Sequence, residues 1–274
     1  MIRLSAFADE ISADPDEQLT LLDRLGIRHV ELRSIFETNV LDLSAAQHHA
    51  FRAKLRDRGF GLSAIGSPIG KIEANEPFEP HLARFEHALD LADFYDAPRV
   101  RIFSYYIPEG SEPAAHRDEV LRRMAAKAKL AADRDVTLFL ENEKGIYGDT
   151  ALRVHDILES VDSPALRHAF DPANYLEIGQ SIDDAWALLR ARTAHIHVKD
   201  YDAKLRKNVL AGQGQGQIAR IIAEAVADGF EGFCTLEPHI LVAEKSHGFT
   251  GPDRFDDATL ALQDALDRKG IAYG

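Results

Sequence analysis

Short runs rich in β-branched and aromatic residues alternate along the whole chain with longer segments whose apolar positions recur at helical spacing. The pattern predicts strands over residues 2–7, 29–32, 62–65, 100–103, 136–141, 166–170, 194–198 and 233–237. Helices are predicted near 15–25, 45–58, 78–95, 114–134, 151–160, 182–190, 217–228 and 255–268. Two of them carry explicit start signals. Asp14-Pro15-Asp16-Glu17 puts a cap, a first-position proline and a capping-box glutamate in order, and Ser44-Ala45-Ala46-Gln47 repeats the box.

A strict alternation of strand and helix points to a parallel sheet wrapped by helices. Eight such units in about 250 residues is the arithmetic of a (β/α)8 TIM barrel. The prediction is an α/β chain forming a single domain over residues 1–274, because no Ser/Gly/Pro-rich linker divides it. A doubly wound open sheet competes, but the first strand runs into Ala8-Asp9-Glu10-Ile11-Ser12 instead of a glycine fingerprint. The longer loops follow strands three, four, five, seven and eight, so function is expected at the C-terminal mouth.

Composition narrows the partners. Of 274 residues, 45% are apolar, which supports a sizeable core. The 32 basic against 45 acidic residues give a net charge of −13, a field that repels polyanions and argues against nucleic acid as a partner. The lone Cys234 can form no internal disulfide, and MIRLSAFADE lacks the apolar stretch of a signal peptide. A cytoplasmic setting is expected. No apolar run approaches the roughly 20 residues a membrane span needs, so no membrane partner is expected.

Four ligand-type side chains fall at predicted strand ends: Glu141, Asp171, His197 and Glu237. Each follows a strongly apolar strand, where a carboxylate must face the mouth or be paired, since an isolated buried charge is costly. Three carboxylates gathered with one imidazole repel one another unless a cation sits among them. The oxygen-rich set suits Mn2+ best, with Mg2+, Co2+ and Zn2+ as further fits. Taken singly, each residue could equally cap the next helix or pair with an arginine.

The segments Leu140-Glu141-Asn142-Glu143, Phe170-Asp171-Pro172-Ala173-Asn174, His195-Ile196-His197-Val198-Lys199-Asp200 and Leu236-Glu237-Pro238-His239 resemble those of the xylose isomerase-like barrels. These are sugar phosphate isomerases and epimerases, including ketose 3-epimerases and inosose dehydratases, and the resemblance spans essentially the full chain. It implies that Glu141, Asp171, His197 and Glu237 bind one divalent cation. It also implies that Glu141 and Glu237 act as the catalytic pair, exchanging a proton next to a carbonyl. One departure stands out: Asn174 occupies the place where the ketose 3-epimerases carry a histidine, which argues against a free-ketohexose 3-epimerase.

The implied reaction is isomerisation or epimerisation of a small sugar or polyol. Abstraction of the same proton followed by loss of a β-hydroxyl would make the enzyme a dehydratase of the inosose type instead. A non-catalytic sugar-binding barrel and an endonuclease IV-like enzyme are the remaining alternatives, the latter opposed by the net charge. Lys199, His239, Arg33 and Asn174 are the candidate substrate-binding residues, and Lys199 shares a strand face with His197. His195 lies on the same face one layer deeper. A homodimer is expected. The glycine-rich 211–217 stretch could cradle a phosphate at a helix start, although a plain turn is the better reading. Residues 246–252 read as a mobile loop, which could act as a lid with Phe249 as its apolar cover. Cys234 and Trp186 read as core, and His48, His49, His81, His87, His116 and His155 as solvated or boundary residues.

Overall fold

The computed structural model describes residues 1–240 and 250–274. In chain order its elements are β1 (Arg3–Ala6), α1 (Pro15–Arg24), β2 (His29–Leu32), β3 (Ser34–Ile35), β4 (Thr38–Asn39), α2 (Ala45–Asp57), β5 (Gly61–Gly66) and α3 (Phe78–Phe94). There follow β6 (Arg99–Ile102), α4 (Arg117–Ala132), β7 (Thr137–Glu141), α5 (Ala151–Val161), β8 (Leu166–Phe170), α6 (Pro172–Glu177) and α7 (Ile182–Leu189). The chain closes with β9 (Thr193–Val198), β10 (Asp200–Asp202), β11 (Lys207–Val209), α8 (Ile218–Ala227), β12 (Phe233–Leu236) and α9 (Pro252–Asp267). Eight of these strands form a closed parallel barrel in the order β1-β12-β9-β8-β7-β6-β5-β2, as the alternation predicts. Residues 246–249 of the predicted loop lie outside the described residues.

The helix starts obey the sequence. Asp14 accepts the amide of Asp16 at 2.8 Å, and Ser44 and Gln47 exchange the two bonds of a capping box at 3.3 and 2.9 Å. Two hairpins, β3/β4 and β10/β11, stand outside the barrel sheet, at positions where the sequence pattern shows only loop. No described helix is long and apolar enough to cross a membrane.

Two compact units share the chain, residues 1–63 with 195–274, and residues 64–194. In the first, β1 pairs with β12 and β12 with β9, so that Ser5, Thr235 and His197 fall in one row and Leu4, Cys234 and Ile196 in the next. The polar row faces one side: the hydroxyls of Ser5 and Ser63 meet at 2.6 Å, and Thr235 Oγ1 lies 2.9 Å from His195 Nε2. Period-two alternation thus places a polar lining on one face of the strands and aliphatic side chains on the other.

In the second unit β5, β6, β7 and β8 pair in sequence, with Arg101 opposite Phe139 and Glu141 opposite Ala169. Phe139 packs on Ala64 and Ala169, with Ala194 beside them. Three alanines around one large ring fill this layer, and Glu141 follows two residues later on the same strand face. On the opposite face His168 bonds Leu140 O through Nδ1 at 2.8 Å and lies 3.3 Å from the Tyr175 hydroxyl through Nε2.

Candidate metal centre

Glu141 and Asp171 end adjacent strands of the second unit, and both are buried. Arg101 donates from Nη1 to Glu141 Oε2 at 2.9 Å and from Nη2 to Gly66 O at 3.1 Å, while Ser67 holds the Arg101 carbonyl at 2.5 Å. Asp171 starts α6 as its cap, accepting the Asn174 amide at 3.0 Å on Oδ1. Asn142 locks the Asp171 backbone reciprocally, donating from Nδ2 to its carbonyl at 2.9 Å and accepting its amide at 3.0 Å. Asn174 is buried and turns its side-chain amide to Asn142 O at 2.8 Å, with Glu141 Oε1 at 3.5 Å. These bonds fix both carboxylates on a rigid frame.

His197 and Glu237 belong to the first unit, on β9 and directly after β12. His197 presents Nδ1 to Glu237 Oε2 at 3.6 Å and Nε2 to Glu31 Oε2 at 3.4 Å, with its ring edge-to-face against Phe7. Glu31 also binds His195 Nε2 at 2.7 Å. Burial pushes the Glu31 carboxyl up, but His195 and His197 outweigh it and hold it well below the usual carboxylate range. An imidazole backed by a carboxylate on one nitrogen, with the other turned toward a second carboxylate, is the arrangement metal-ligating histidines adopt.

Around Glu237 the same unit assembles cations. Lys199 Nζ lies 3.5 Å from Oε2, Arg33 Nη1 2.9 Å from Oε1, and His239 Nε2 3.3 Å from Oε1. Burial opposes ionisation of Glu237, yet the field of Lys199, His239, His197 and Arg33 keeps it well below the ordinary range. Arg33 further pairs with Asp9 at 2.7 Å and Glu10 at 3.5 Å, and its guanidinium stacks 4.6 Å over Phe7. His239, in a left-handed backbone conformation, bonds Glu10 through Nε2 at 2.9 Å and through its amide at 3.1 Å.

Two triads in this unit have ligand atoms close enough to share an ion: Glu31, His195 and His197, and Glu10, Glu237 and His239. The second already carries the Arg33 guanidinium on both carboxylates. Among the described residues of this unit, Arg33 pairs with Asp9, Glu10 and Glu237, and Lys199 faces Glu237 as well. The donor set, carboxylate oxygen and imidazole nitrogen without thiolate, fits a hard or borderline divalent ion.

The sequence-predicted site residues sit at or just beyond strand ends, except Asn174, which lies in α6, and Arg33, Lys199, His197 and His239 each approach Glu237. Sequence reasoning missed Arg101; its signal was a charge two residues after Arg99 inside an apolar strand. The glycine-rich stretch is not a phosphate cradle. Its amides at Gly212, Gly214 and Gly216 already point at the Asp200 carboxylate, at 2.8, 3.0 and 2.7 Å. Two of the histidines assigned to solvated or boundary positions, His48 and His81, are buried.

The family model described as Xylose isomerase-like TIM barrel matches residues 19–258. None of the curated proteins matches the sequence. Among solved structures, the probable 3-DHS dehydratase AsbF of Bacillus anthracis, involved in petrobactin synthesis, is 19% identical with a TM-score of 0.75, covering 96% of this chain and 99% of that one. A xylose isomerase-like TIM barrel protein of Mycobacterium smegmatis in complex with magnesium is 18% identical, TM-score 0.72, covering 97% of each chain. The D-psicose 3-epimerase of Clostridium cellulolyticum H10, solved with D-tagatose, is 17% identical, TM-score 0.74, covering 96% of this chain and 98% of that one. At these identities the likeness establishes the shared fold.

Proposed function

The chain belongs to the xylose isomerase-like TIM barrel family, and from that membership we propose that it is a divalent-metal-dependent isomerase or epimerase of a small sugar or polyol. Glu141, Asp171, His197 and Glu237 would hold the ion. The observation that carries this reading is their common character: each is a buried ligand-type side chain at the end of a parallel strand. Their strands β7, β8, β9 and β12 are successive neighbours in the barrel order. Mn2+ is the proposed ion, with Mg2+, Co2+ and Zn2+ as the competing fits.

When bound, the ion would supply polarisation of a substrate carbonyl, acidifying the neighbouring C–H. Glu237, kept ionised by its surrounding cations, takes the proton, and Glu141 is the second carboxylate of the exchange. Arg101 holds Glu141 in place. Arg33 and His239, with 23% and 28% of their side chains exposed, offer the reachable donors for hydroxyls, and Lys199 and Asn174 complete the proposed substrate contacts. The protein would work in the cytoplasm as a homodimer, on a small molecule and not on nucleic acid.

Elemental mass spectrometry on purified protein, stripped and reloaded with each ion, tests the centre. About one divalent ion per chain, lost in Glu237→Ala, is expected; protein that neither retains nor reloads metal overturns the mechanism. A panel of ketoses and keto-inositols then tests the reaction. Epimerisation or isomerisation conserves mass, whereas a product lighter by one water reassigns the same site to a dehydratase.

A further inference from the structure

Away from the strand ends, residues 64–194 contain a second concentration of buried charge with no role in the reading above. Lys127 lies in the middle of α4 with none of its surface exposed, and its Nζ has no hydrogen-bond partner among the described residues. The ammonium sits 4.5 Å above the ring of Tyr105, a fully buried residue in a left-handed conformation (φ 73°) whose hydroxyl is likewise unpartnered. One turn earlier on α4, Arg123 flanks the same ring at 5.2 Å. It donates from Nε to Glu119 at 2.6 Å and from Nη2 to Glu76 O at 2.7 Å, leaving Nη1 buried and unspent.

The charges facing this point come from three segments. From α4 there are Lys127, Arg123 and Arg122, with one carboxylate, Glu119, shared between the two arginines. From α3 come Arg84, Glu79, which faces Arg122, and His81, whose Nε2 accepts the Gly70 amide at 2.9 Å and whose ring meets Tyr105 edge-to-face. Tyr105 itself arrives from the loop after β6. Burial, then Lys127, Arg123 and Arg84, press the His81 pKa down to about 4, so that ring stays neutral. The sum is positive, and the unspent atoms around the ring are donors: an ammonium, a guanidinium edge and a phenol. Unpaired buried donors are costly, and an acceptor carrying negative charge beside this ring would relieve that cost.

We propose that Lys127, Arg123 and Tyr105 form a buried binding site for a compact inorganic monoanion, of the chloride class. Small size follows from the burial of all three groups, which leaves no exposed edge for a bulky polyatomic ligand. Without an anion, burial and the neighbouring Arg123 bring Lys127 down to about 7. An anion favours the ammonium, so binding should take up a proton and tighten as pH falls through neutrality.

The test is thermal and urea unfolding of the full-length protein across a chloride series, with gluconate keeping ionic strength constant. Once chloride exceeds its Kd, each tenfold increase should lower the unfolding constant tenfold. Lys127→Met should abolish that dependence and, lacking the buried charge, be more stable than wild type without chloride. Tyr105→Phe keeps the ring and should weaken the dependence without removing it. In bromide-soaked crystals an anomalous peak should lie beside Lys127 Nζ. A chloride-independent wild type, an unchanged slope in Lys127→Met, or no bromide peak would each overturn the proposal. Stabilisation by nitrate or bicarbonate but not chloride would overturn its size.

Discussion

Asp200→Asn should release the glycine-rich loop, and the size of the effect can be worked from four bonds. The carboxylate receives Tyr201 N at 2.9 Å and Gly216 N at 2.7 Å on Oδ1, and Gly212 N at 2.8 Å and Gly214 N at 3.0 Å on Oδ2. The amide keeps one oxygen and turns an NH2 toward the other pair of N–H groups, so two charge-assisted bonds vanish and donor faces donor. Each such bond is worth about 1.5–3 kcal/mol. Gly212 is exposed and water can partly replace its bond, which sets the net loss near the low end, about 3 kcal/mol. Native-state hydrogen exchange reads this directly: about 3 kcal/mol corresponds to exchange roughly 100-fold faster. The acceleration should appear at the amides of Gly212, Gly214 and Gly216, with β1 and β12 unaffected. If those three amides exchange at the wild-type rate in Asp200→Asn, the carboxylate does not hold the loop.

Other consequences are as direct. Arg101→Leu should destabilise the metal-free protein by about 3–5 kcal/mol in urea titration, because the buried Glu141 carboxylate loses the guanidinium paired with it; a loss under about 1 kcal/mol would mean that this pair contributes little to stability. Gly70→Ala should prevent soluble expression or cost several kcal/mol, since Gly70 has φ +100° and an added Cβ would strike the backbone of Phe103. Burial pushes the Cys234 thiol well up, so native protein should ignore a thiol reagent until denaturant unfolds it; prompt labelling of native protein contradicts that burial. In chloride-free buffer the folded state binds the Lys127 proton only below about 7, whereas an unfolded lysine holds it to about 10.4. Stability should therefore rise with pH across that window, and the rise should shrink in Lys127→Met.

What the sequence reveals and what it hides divides along a physical line. Strands and caps were legible because they are set by neighbours in sequence. Leu138 and Leu140 alternate with Phe139 and Glu141 through the pleat alone, and Asp14 and Ser44 need only their own first turns. The carboxylates at strand ends were legible for the same reason, since a charge after an apolar run has few places to go. Roles that depend on distant partners were not. Asp200 reads as one more polar residue beside a glycine-rich turn. Only folding shows that β10 and β11 bring the amides of Gly212, Gly214 and Gly216 back onto it, so a stretch that resembles an anion cradle already holds its anion, supplied by the chain. Lys127 is the inverse case. It stands in a helix crowded with Arg122, Arg123 and Lys129, which reads as a solvated charged face, yet its position turns it inward against Tyr105. A buried cation next to unspent donors asks for a negative partner, as the amide nest did, but among the described residues no side chain accepts from the Lys127 ammonium. Asp200 and Lys127 are thus two answers to one electrostatic requirement: the first is satisfied within the fold, while the second makes stability depend on the solution around it.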